Sequence, residues 1–183
     1  MSGPPEHPQV LTAQTKAGVL YNTYTTAKSV LNPEDLITLP ANYLAIGSAF
    51  FIQVSGGLSN RASTPGSVTF QVMMGSIVAF TTGALSFQAS ARTLLPFTLD
   101  IKLRVDSTGS GTAAKFLGMG EFGGIHLTNT DTKIQVPVTA PAVGTGFDST
   151  IANVLDFWTG FSTSDAGNGV QLYDYRVRQD RGL

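Results

Sequence analysis

The chain has 183 residues and a mass of 19.2 kDa, with eleven Lys and Arg against twelve Asp and Glu. With a net charge of -1 and no cysteine, it lacks the clustered cations of a nucleic-acid binder. It also lacks the thiols of a disulfide scaffold, a Cys-based zinc site or a thiol nucleophile, and at 42% hydrophobic it is no disordered chain.

Residues 1–17 open with Pro4, Pro5 and Pro8. Proline fixes its own φ and restricts the residue before it, so this stretch reads as an extended arm rather than core. It has no basic n-region followed by an apolar stretch, so no signal peptide is expected. From residue 18 onward the pattern is β. Candidate strands are 18–24, 27–31 and 35–39. Asn32-Pro33-Glu34-Asp35-Leu36 carries a cap residue and a Pro at the first helical position, which allows one helical turn. Residues 50–54 read as an apolar central strand. The longest apolar stretch, 43–54, is interrupted by Gly47, Ser48 and Gln53, far short of the roughly 20 residues of a spanning helix.

Val68 to Val72 alternates apolar and polar, and 76–81 and 84–90 are further candidates. Phe97 to Val105 alternates over nine residues, as a half-buried antiparallel strand does. Residues 112–120 follow, then Lys133 to Val138, which Pro137 assigns to an edge or a bulge. The last candidates are 153–161 and Tyr173 to Val177. Ser55-Gly56-Gly57, Thr64-Pro65-Gly66, Asp106 to Gly111 and Asp165 to Gly169 read as breakers, with Gly167 and Asn168 expected to supply positive φ before the last strand, and the glycines of Met119 to Gly124 read as turns and bulges. The expected fold is all-β: one two-sheet antiparallel sandwich of jelly-roll type over 18–183, with the extended N-terminal arm before it.

No catalytic constellation stands out. His7 lies in the arm and His126 in a Gly-rich stretch, and Ser and Asp are too plentiful for a triad to be informative. Asp100 alternates with Lys102 and Arg104 on one strand face, which reads as a solvated or cross-strand ion pair. Asp100 and Asp156 are the acids to try first for glycan cleavage. Asp165 and Asp174 lack the spacing of a calcium loop. Neither enzymatic activity nor a cofactor nor a metal is expected. The candidate contacts to partners are Pro4, Pro5 and Pro8 in the arm, the aromatics Trp158, Tyr173 and Tyr175, and the basic residues Arg176 and Arg178. The charge content is about half the roughly 25% of an ordinary domain, which argues for surface covered in an assembly.

Three segments resemble jelly-roll bacteriophage virion proteins. The first is Leu39-Pro40-Ala41-Asn42-Tyr43-Leu44 leading through Gly47 into a strand that ends in Ser55-Gly56. The second is Pro96 to Val105, a Ser/Thr/Gly turn, and Ala113 to Gly120. The third is Asn153 to Ser162, then Asn168 to Val177. The resemblance spans residues 39–177 and carries no catalytic residues. It implies a structural virion component, a capsid decoration or cement protein that binds the major capsid protein or other virion proteins. A homo-oligomer, a trimer above other states, would be expected, located on the virion after synthesis in the host cytoplasm, without nucleic-acid or membrane contact. A tail or fibre component and a glycan-binding jelly roll are the alternatives.

Overall fold

The computed structural model describes residues 9–125, 127, 132–140 and 143–180. Two antiparallel sheets face each other across one apolar core, a jelly-roll-like sandwich. The first sheet runs in the order β1 (Gln9–Ala13), β13 (Gly169–Asp180), β5 (Ala49–Asn60), β9 (Arg92–Ser107), β10 (Lys115–Gly124) and β11 (Thr132–Val136); β2 (Tyr21–Asn22) also pairs with β13. The second runs β3 (Lys28–Ser29), β12 (Asn153–Phe161), β6 (Ser67–Met74) and β7 (Ile77–Thr81). There β4 (Ile37–Leu39) pairs with β12 and β8 (Leu85–Ser86) with β6. One 3₁₀ turn, Pro33–Asp35, matches the single turn expected there. No helix among the described residues is long and apolar enough to cross a membrane.

The alternation read from the sequence is the alternation of the sandwich. On β9, Phe97, Leu99, Ile101, Leu103 and Val105 are buried, while Thr98, Asp100, Lys102 and Arg104 face outward. Val68, Phe70 and Val72 of β6 and Leu155, Phe157 and Phe161 of β12 close the core from the other side. Phe70 is its hub. Its ring stacks on Phe97 at 5.4 Å, on Phe157 at 5.8 Å and on Phe122 at 5.9 Å between centroids. Such pairs contribute about 0.5–1.5 kcal/mol each beyond the area they bury. β11 is an edge strand, as Pro137 requires, and Asp106 to Gly111 closes the β9–β10 hairpin with positive φ at Gly109 and Gly111.

Three expectations need correction. Pro4, Pro5 and Pro8 lie outside the described residues, but the arm does not extend to residue 17. Residues 9–13 are β1, paired with β13, and the Gln14 and Gly18 N–H groups donate to the Tyr175 and Leu172 carbonyls. Ser55-Gly56-Gly57 does not break the chain; it lies inside β5. A Cβ on Gly56 would stand 2.2 Å from the Gln171 oxygen and 3.0 Å from Phe97 Cε1. The glycine is there for the missing side chain, opposite the irregularity between Leu172 and Asp174. The same holds on β10, where a Cβ on Gly118 would meet Phe80 at 2.4 Å and one on Gly120 the Asp100 oxygen at 2.3 Å. Lastly, neither Gly167 nor Asn168 has positive φ. Asn168 is wholly buried instead: it accepts from the Arg61 N–H and donates to the Pro65 and Thr163 carbonyls, pinning two loops together.

Because the obstacle at Gly56 is backbone, Gly56→Ala should destabilise the fold by about 1–3 kcal/mol, the usual range for overpacking. Urea unfolding checks this, and an unchanged midpoint would contradict the close approach.

Candidate interaction surfaces

The residues expected to meet partners do not form one site. β12 and β13 are consecutive in the chain but belong to different sheets. Trp158, on β12, is half-buried on the second sheet, and its indole N–H donates to Asp156 Oδ2 at 2.6 Å. Tyr173 is exposed on the first sheet, and its hydroxyl lies 2.9 Å from where a Gly57 Cβ would stand. The expected cluster of Trp158 and Tyr173 is therefore divided between the two sheets. Tyr175 is not a surface residue at all. It is fully buried, its ring 6.0 Å from Phe157. Its hydroxyl has no hydrogen-bond partner among the described residues. Burial pushes its pKa well above the usual tyrosine range, and the charges of Asp156 and Asp35 push the same way.

The two acids proposed for glycan cleavage are also apart. Asp156 is on the second sheet and is satisfied locally. Its Oδ1 accepts from Ser29 Oγ at 2.8 Å and from the Phe157 N–H at 2.7 Å, while Oδ2 takes the indole. That is a structural carboxylate. Asp100 lies on the outward face of the first sheet. Asp165 is held by Arg61 at 2.7 Å and by the Gly167 N–H. His7, His126 and Arg181 fall outside the described residues. Among the described residues, no group of three or more His, Asp or Glu could hold a metal ion.

Arg176 and Arg178 belong to an outward face with a definite pattern. The strand registers align it in rows across β13, β5, β9 and β10. One row reads Arg178, Phe51, Lys102, Met119, and the next Arg176, Gln53, Asp100, Glu121. Over them lies an open groove of about 380 Å³. One hydrogen bond crosses between the rows, Arg178 Nη2 donating to Gln53 Oε1 at 2.9 Å, and one runs along a row, Gln53 Nε2 donating to Asp100 Oδ1 at 3.1 Å. On β11, Lys133 Nζ reaches Glu121 Oε1 at 2.7 Å and Gln135 Nε2 reaches Oε2 at 3.3 Å. Lys102 Nζ sits 5.4 Å from the Phe51 ring centre. This face offers fixed donors, acceptors and two apolar side chains, but no nucleophile held by a base. Phe51, Gln53, Met119 and Glu121 were missing from the sequence-based set. The alternation around Asp100 could have given Phe51 and Gln53 by cross-strand pairing, but the glycines of β10 hid Met119 and Glu121.

A second surface is the loop end that contains residues 40–48, 107–114 and 147–152. Its loops meet at Ser149, whose carbonyl accepts from Asn42 N–H and whose N–H donates to the Gly109 carbonyl. Ser149 Oγ also accepts from Gly109 N–H at 2.8 Å. On these braced loops Ile46 is 69% and Ile151 57% exposed. No family model matches the chain, and no curated protein matches it.

Two predictions come from the buried Tyr175 and the half-buried Tyr24. Tyr175→Phe removes a buried hydroxyl that has no partner, so it should leave stability equal or raise it by about 1 kcal/mol, measured by urea unfolding; a loss would mean that the hydroxyl is paired. Burial pushes the Tyr24 phenol up to about 12, opposed by its hydrogen bond with Thr159. A raised folded pKa means stability that is full below the unfolded value of 10.0 and falls as pH rises towards 12. Alkaline titration of stability should therefore show a decline over that window that is smaller in Tyr24→Phe. An identical decline in the variant would contradict the burial.

Proposed function

We propose that this chain is a structural component of a bacteriophage virion, a capsid decoration protein that acts by binding rather than by catalysis. The observation that carries the assembly part is the loop end, where Ile46 and Ile151 stand exposed on loops braced through Ser149. Large apolar side chains held rigidly in water lose little entropy on docking, and they are the kind of residue that anchors an interface. The low charge of the whole surface supports the same reading. The phage part rests on the resemblance of segments 39–56, 96–120 and 153–177. In this reading the sandwich is a rigid body, and binding to the assembled lattice alone stabilises that lattice by mass action. Repeated weak contacts around a shell add through effective concentration.

Electron microscopy of particles carrying the chain tests this. Density over the head faces is expected, whereas density only at the tail, or a chain that associates with no particle, would overturn the assignment. Ile46→Asp combined with Ile151→Asp should lower head affinity by at least about tenfold, a loss of about 1.4 kcal/mol, with the far-ultraviolet spectrum unchanged.

A further inference from the structure

We propose that the outward face of the first sheet is a self-complementary contact, on which a second copy of this chain stacks about a two-fold axis running along the seam between β5 and β9. This deepens the assembly reading above and rests on it. The partner is identified by charge complementarity. The sheet path has six strands, β1-β13-β5-β9-β10-β11, and the seam between β5 and β9 is its centre. A two-fold axis along that seam, in the plane of contact, lays β13 of one copy over β10 of the other and β5 over β9, with rows kept in step.

The consequences follow residue by residue. In one row Arg176 faces Glu121 of the second copy, and Gln53 faces Asp100. In the next, Lys102 faces the Phe51 ring and Arg178 faces Met119. The cation–π pair already present within each copy is thus repeated between them. Arg176 is exposed and has no ion pair or hydrogen bond among the described residues, so its charge is available. Of the Asp100 carboxylate, only Oδ1 has a side-chain donor among the described residues, Gln53. Met119 is 47% exposed, a large apolar side chain in water beside the charged residues of these rows, which suits a covered position.

Other axes through this face fail on charge. An axis along β5 sets Arg178 against Lys102. One along β9 sets Lys102 against Lys102 and Asp100 against Asp100. An axis across the strands, between the two rows, sets Arg176 against Arg178. Like charges brought together at an interface are strongly unfavourable. The seam axis alone, among these four, places every cation of the two rows opposite an anion, a ring or a thioether. Stacked sheets lie about 10 Å apart, and the groove over these rows leaves room for the facing side chains.

The test is sedimentation velocity on the full chain. The native protein should sediment as a dimer or an even-numbered assembly whose association weakens with added salt. Glu121→Arg and Arg176→Glu should each weaken association at least about tenfold. The double exchange, E121R with R176E, should restore it, because the pair is re-formed with its signs reversed. Circular dichroism confirms that each variant is folded. A native monomer or trimer overturns the two-fold contact. So do single variants that associate like the native chain, or a double variant that stays dissociated. Head binding, read by microscopy as above, is a separate measurement, so loss of this contact and loss of the virion reading are distinguishable.

Discussion

The sandwich depends on the fit between aromatic rings and missing side chains. Phe70 touches rings from three other strands, and the surrounding space is made by glycines: Phe97 closes over Gly56 and Phe80 over Gly118. Interiors pack at crystal-like density, so a ring and the gap that receives it are specified together. Where the glycines remove side chains, the backbones of neighbouring strands also come close. Gly56 lies against the Gln171 carbonyl of β13 and Gly120 against the Asp100 carbonyl of β9. The core thus fixes the spacing and register of the first sheet, and register decides which residues share a row on its outer face.

This linkage explains why much of the fold was legible. Period-two alternation at 68–72 and 97–105 depends only on which side of a strand is wet, and it holds through β6 and β9. Glycine was less legible because it has two uses. At Gly47, Gly66 and Gly111 it permits positive φ in a turn; at Gly56, Gly118 and Gly120 it yields space within a strand. The local sequence around the two kinds is much alike, and the difference lies in a residue far along the chain. β1 was hidden for a related reason. Its partner β13 lies at the opposite end of the sequence, and its five residues follow three prolines that read as an arm.

The outward surfaces were only half legible. Arg176 and Arg178 could be found from the C-terminal sequence, since their strand alternates cleanly from Tyr175 to Asp180. Their acidic complement could not, because Glu121 sits on a strand disguised by glycines. The aromatic cluster failed because nearness in sequence was taken for nearness in space. In a sandwich consecutive strands often change sheets, and the step from β12 to β13 carries Trp158 and Tyr173 apart. Tyr175 shows the parity rule at work. It stands two residues beyond the exposed Tyr173, but the irregularity between Leu172 and Asp174 shifts the count and turns its ring inward.

The pinned side chain of Asn168 has a chemical consequence. It precedes Gly169, and an asparagine followed by glycine readily loses ammonia when its amide carbon can swing onto the next backbone nitrogen. Here three hydrogen bonds hold that amide in a wholly buried corner. Cyclisation must wait until the corner opens. The rate of deamidation at this residue would therefore record how often the loops after β5 and β12 part.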